Sequence, residues 1–204
     1  MSAAHDATVA TPSPSTADRP GDIDRQSRRQ LSSGRVATAV IAAAWAVICM
    51  LMIARPVFIS HDSLSNNVHV WFIAEQLWHG HGIPMHVPAL ANGQGLTFPY
   101  ASVPWASAAL VWPLLGDRAV TLWLVLGFAA TIAATFWTFP TLRRGWWAAA
   151  TLTNPSLVIS PLLGQLPFLW SIAAFTFAIG MWRRNRVWPA VALTAPRRSS
   201  IRRW

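Results

Sequence analysis

Apolar residues come in long blocks along this chain, and short polar stretches between the blocks carry most of its charge. Residues 1–35 contain Pro, Ser, Thr, Asp and Arg with almost nothing to bury, which predicts a disordered tail. The first apolar block runs from Val36 to Ile59 and includes ATAVIAAAWAVICMLMIA without a charge. A helix of about 20 residues, rising about 1.5 Å each, crosses a hydrocarbon core of about 30 Å. The block therefore predicts a membrane span over 36–59. Further spans are predicted at 119–139, at 145–163 (interrupted by Asn154-Pro155 and Pro161) and at 165–182. Val187 to Ala195 is too short to cross, and residues 196–204 form a basic tail.

Residues 60–118 have a mixed pattern. Ser65 to His79 fits an amphipathic helix that stops at Gly80. At about 100° per residue Asn66, His69 and Gln76 share a face, which Asp62 joins if the helix begins one turn earlier. Trp71, Ile73, Leu77 and Trp78 give the helix enough apolar surface to lie along a membrane. Pro84, Pro88, Pro99 and Pro104, with Gly93 and Gly95, predict an ordered irregular connection. Ala101–Gly116 then forms a second surface or re-entrant helix.

Composition narrows the class. The 204 residues are 53% hydrophobic and 11% charged, against about 25% charged in an ordinary soluble domain. A water-soluble enzyme and a wholly disordered chain are both excluded. So is a disulfide scaffold, because Cys49 is alone. All 16 basic residues are Arg, and they fall in small clusters between the apolar blocks. With a cytoplasmic N-terminus and 101–116 outside the membrane, 14 of the 16 lie on the cytoplasmic side, leaving Arg55 and Arg118 outside. If 101–116 crossed, only six would be inside, so the positive-inside bias favours the first arrangement. Trp137, Trp146, Trp147, Trp182 and Trp188 then fall at the cytoplasmic interface, where indoles settle. The expected architecture is all-α: a polytopic helical bundle of the cell membrane with about four spans, both ends cytoplasmic, and a large extracytoplasmic loop at 60–118. The topology spreads the arginines over separate segments, which argues against nucleic acid as a partner. Ser27-Arg28-Arg29-Gln30-Leu31 faintly suggests a twin-arginine signal, but no small-residue cleavage site follows clearly.

The outer loop concentrates the candidate chemistry, with five of the six histidines and three of the seven acids. Asp62 lies just beyond the first span, where a partly desolvated carboxylate can take a proton from a nucleophile or hold a divalent cation. A divalent cation is the one cofactor the residues leave open. Asp before Ser-Leu-Ser-Asn also suits a plain helix N-cap. His61 and His69 could orient Asp62, share a metal, or contact a phosphate. His79, His81 and His86 offer imidazoles, but H-x-H-x4-H is no established metal pattern. Glu75 reads as a solvated helix position.

At these residues the chain resembles the start of the GT-C-fold glycosyltransferases, polytopic enzymes that use polyprenyl-phosphate-linked sugars. The stretch Asp62-Ser-Leu-Ser-Asn-Asn, Leu77-Trp-His-Gly80, Ile83-Pro84, Pro99-Tyr100 and Pro104 is similar to the first loop of their bacterial, especially actinobacterial, relatives. Asn154-Pro155 and Gly164-Gln165 are similar to short turns between later spans of such proteins. The resemblance covers about 36–190. It implies that Asp62 is the first-loop acid that activates the acceptor, with His61, His69 or Arg118 near the donor phosphate. It also implies membrane lipids and a lipid-linked sugar donor as partners. Family enzymes carry roughly eight or more spans. The change from VWPAVALTA to PRRSSIRRW reads as a truncation or a shifted frame, or else as a basic tail for anionic lipid. The alternative to a transferase is a non-enzymatic membrane scaffold or assembly protein.

Overall fold

A computed structural model describes residues 20–55, 62–84 and 102–186, with side chains described from Ser33 onward. Every regular element among them is helical. Three helices are long and apolar enough to cross a membrane: Ser33–Ala54, Arg118–Thr138 and Leu166–Arg183. The first belongs to a longer helix, α1 (Pro20–Ala54), which starts inside the stretch expected to be a disordered tail. Pro20 suits a first helical turn, whose N–H groups have no intrahelical partner, and the apolar part of α1 carries the helix onward. Arg55-Pro56 ends it, since the residue before proline disfavours the α conformation.

Helix α2 (Ser63–Trp78) and helix α3 (Ser102–Leu115) lie within the expected loop. At 14 residues α3 is about 21 Å long, too short to cross a bilayer. α4 (Arg118–Thr138) follows, then a 3-10 turn at Pro140–Arg143. The expected span at 145–163 is not one helix. It divides into α5 (Trp146–Leu152) and α6 (Pro155–Leu162), because Pro155 has no N–H and the Asn154 side chain caps the new start by accepting from the Ser156 N–H at 3.0 Å. α7 (Leu166–Arg183) closes the described chain.

Two sets of contacts give the elements their directions. Gly34 near the start of the apolar part of α1 touches Gly145, and beyond the end of α1 the Asp62 N–H donates to the Leu163 carbonyl at 2.9 Å. The broken pair α5–α6 therefore runs beside α1 in the same direction. α7 likewise runs with α4: Thr131 Oγ1 donates to the Leu169 carbonyl and Thr138 Oγ1 to the Thr176 carbonyl, both at 2.9 Å. The bundle thus has two distinct ends. One carries Asp62 and the α2–α3 pair; the other gathers Arg35, Arg143, Arg144, Arg183, Arg184 and Arg186. Between them a core of Trp45, Met52, Val70, Ile73, Leu124, Phe128, Leu157, Leu166 and Leu169 joins helices that outwardly expose Val40, Val47, Leu51, Phe175 and other apolar side chains.

Breaks in the helices release carbonyls, and tryptophans take them up. Leu152 O loses its usual partner at the α5–α6 break and accepts from Trp45 Nε1 at 3.1 Å. Pro113 denies Ala109 O an N–H, and Trp78 Nε1 supplies one at 3.2 Å. The contact at Gly34 is closer still: a Cβ built there would lie 2.6 Å from the Gly145 carbonyl carbon. Since backbone cannot swing aside, Gly34→Leu is expected to lower stability by about 1–3 kcal/mol. Ala39→Leu, on the exposed side of α1, is expected to change it by about 0.5 kcal/mol or less. Thermal unfolding midpoints of the two purified variants in detergent check this.

Candidate functional site

The Asp62 end is assembled around one buried amide. Asn66, one turn into α2, is 3% exposed. Its Nδ2 donates to the Gly164 carbonyl at 2.7 Å, and its Oδ1 accepts from Trp105 Nε1 at 2.8 Å. One side chain thereby joins α2, α3 and the α6–α7 turn. That turn needs a glycine: Gly164 has φ 74°, a left-handed conformation that presents its carbonyl to Asn66. A buried amide with partners at both its nitrogen and its oxygen is stable where one with an atom left unpaired is not.

Beside this lock lies a pocket of about 570 Å³ lined by Asp62, Ser65, Asn66, Trp105, Gln165, Pro167 and Phe168. Its volume falls in the ordinary range for small-molecule sites, and it combines aromatic walls with a few convergent polar groups. Asp62 is half-buried and occupies the N-cap position of α2, yet its side chain makes no capping bond. Its backbone is held from both sides, with the N–H on Leu163 O at 2.9 Å and the carbonyl accepting from the Asn66 N–H at 3.1 Å. The main chain of this carboxyl-bearing residue is thus fixed to two elements.

His69 stacks on Trp105 and is not part of the pocket lining. The two rings stack with centroids 4.0 Å apart and planes 16° apart. Its Nδ1–H donates to the Ser65 carbonyl at 2.7 Å, which places the neutral-state proton on Nδ1 and leaves Nε2 as the acceptor. Burial pushes the imidazole below the usual histidine range, and the Ser65 bond opposes this in part. His69 therefore supports the indole that walls the pocket.

The other expected site residues fare differently. His61 lies outside the described residues, as does His86. Arg118 opens α4, is exposed and does not line the pocket. His79 bonds the Glu75 carbonyl at 2.7 Å and lies 3.4 Å from its carboxylate, on an exposed helix end. Among the described residues no group of three or more His, Cys, Asp or Glu could hold a metal. Trp105, Pro167 and Phe168 had no signal in the sequence beyond membership of apolar helices. Gln165 was visible only as part of a Gly-Gln turn.

A histidine held neutral gives the fold a pH dependence of known sign. The native state binds fewer protons here than the unfolded chain, so the contribution is present above the unfolded pKa and is lost as pH falls below about 6.5. Stability is expected to decline between about pH 7 and pH 5, and His69→Gln is expected to flatten that decline. Unfolding curves of both proteins across this range measure it.

Comparison of the chain with protein-family models, with curated proteins and with solved structures finds no match.

Proposed function

We propose that this chain forms the acceptor-activating end of a membrane glycosyltransferase of the GT-C kind, which takes its sugar from a polyprenyl phosphate at the extracytoplasmic face. In this reading α1, α4, the α5–α6 pair and α7 make four crossings, with the arginine end in the cytoplasm as the positive-inside bias requires. The observation that carries it is the position of Asp62: a half-buried carboxyl residue on a pocket of about 570 Å³, at the end of the bundle opposite the cluster of Arg143, Arg183 and Arg184.

The chemistry follows from that position. An acceptor hydroxyl in the pocket gives its proton to the Asp62 carboxylate as its oxygen attacks the anomeric carbon of the donor. A new glycosidic C–O bond forms, the bond from the anomeric carbon to the phosphate oxygen breaks, and polyprenyl phosphate leaves with the electron pair. Ser65 and Gln165 supply hydrogen bonds that orient the acceptor. Trp105, Pro167 and Phe168 form apolar walls that keep water from competing for the donor.

Asp62→Asn preserves size and removes the base, so transfer from a radiolabelled polyprenyl-phosphate sugar in membranes is expected to fall about 100- to 10,000-fold, with the protein's abundance and thermal stability retained. Unchanged transfer overturns the assignment of Asp62. The second reading, a non-enzymatic scaffold, is favoured by α1, of whose span only 11% is buried inside the bundle. It expects no transfer activity in the wild type and no effect of Asp62→Asn on the complexes the protein forms.

A further inference from the structure

The end opposite Asp62 holds an arrangement of charge that the proposed transfer does not use. Three successive carbonyls of the last turn of α4 are taken by three different arginines. Arg143 Nε donates to Phe136 O at 2.8 Å, Arg184 Nη2 to Trp137 O at 2.8 Å, and Arg183 Nη1 to Thr138 O at 3.1 Å. Arg184 also donates to Gly180 O at 2.9 Å and lies 3.7 Å from the centroid of the Trp137 ring; Arg183 lies 5.3 Å from that of Phe139. A single cation at a helix C-terminus is an ordinary match to the helix dipole, worth about half a unit charge. Three guanidinium groups within one turn exceed that by far.

Among the described side chains no acid lies at this end. Asp62, Glu75 and Asp117, the acidic residues with described side chains, all belong to the loop or elements of the opposite end. Each guanidinium has five N–H donors in a planar fork, and the carbonyl bonds use only one or two of them. For Arg183 and Arg184 a carbonyl and an aromatic ring together restrain the guanidinium plane, and a carbonyl holds Arg143. Apolar helices flank the cluster on one side, and the exposed indoles of Trp146, Trp147 and Trp182 lie around the same end.

We propose that this cluster, Arg143, Arg183 and Arg184 on the C-terminal carbonyls of α4, is a binding site for the phosphodiester headgroup of an anionic phospholipid. The phosphate accepts forked bonds from the guanidiniums, which suit its geometry better than ammonium groups do. The acyl chains lie along the apolar faces of α4 and α7, and the indoles sit at the headgroup level. The inference stands independently of the chemistry assigned to Asp62.

Native mass spectrometry of the detergent-purified protein with added phosphatidylglycerol or phosphatidylcholine tests it. Each arginine near an anionic lipid is worth about five-fold in binding. The wild type is therefore expected to retain phosphatidylglycerol about ten-fold or more over phosphatidylcholine, and R143Q/R183Q/R184Q to lose most of that preference. R35Q/R144Q/R186Q removes the same charge from the same end but none of the carbonyl-bound arginines, and is expected to stay within about two-fold of wild type. If the first triple variant unfolds, R143Q and R184Q singly are each expected to lower retention about five-fold. Equal retention of both lipids by the wild type, equal loss in the two triple variants, or single variants that bind like wild type would overturn the site. Displacement of the lipid by millimolar inorganic phosphate would assign the cluster to free phosphate and overturn the lipid.

Discussion

Five indole N–H groups, each donated to an oxygen of another helix, hold this bundle together. Trp45 ties α1 to α5, Trp78 and Trp105 tie α2 to α3 from opposite sides, Trp123 ties α4 to Ser107 of α3, and Trp170 ties α7 to α4. A chain with 11% charged residues has few ionic groups to spare for crosslinks. In apolar surroundings an unpaired backbone group is expensive, so every helix break must be answered by a donor or acceptor from nearby. Indole answers it well: one donor on a large apolar body, with no second polar atom left to satisfy. Trp45 and Trp78 show the principle most directly, since each serves a carbonyl that a helix interruption has left without its usual N–H.

The same cost of burying polarity sorts the rest of the chemistry to the two ends. Charges are costly in hydrocarbon and settle at its boundaries. Here the described charges fall at the two ends of the bundle, and asymmetrically. At one end the arginines spend bonds on the free carbonyls of α4 and α7. At the other, the polar groups are chiefly amides, hydroxyls and a carboxyl residue, woven into the main chain of α2 and the α6–α7 turn. Neither end borrows charge from the other, so the pocket beside Asp62 and the guanidinium cluster can be altered separately.

Asn66 couples the pocket to the fold. Its two bonds fix the separation of three elements, and the indole it holds is braced by His69. Both polar atoms of the Asn66 amide are bonded to other elements, and His69 is held through its Nδ1 and its ring face. Asn66 and His69 therefore hold Trp105 in place, while Asp62, Ser65 and Gln165 line the pocket beside it. This differs from the sequence pattern, where Asn66, His69 and Gln76 form one face and read as equivalent.

Periodicity and block length by themselves determined the all-helical class, the positions of α4 and α7, the α2 helix and the presence of an acid where α1 gives way to the loop. These are local properties, set within a single apolar run or a single turn. α1 begins at Pro20, ahead of its apolar block, since a polar composition argues against burial but not against a helix that an apolar neighbour extends. The block at 145–163 has the composition of a span with a break legible at Asn154-Pro155, but that Trp45 would cap the carbonyl freed there was decided only by packing against α1. The pocket lay further out of reach. Asp62, Trp105 and Gln165 are separated by 40 to 60 residues of chain, and no local pattern encodes their meeting. It is decided by a buried amide with two partners on two other elements, a pairing that only exists once the helices have docked.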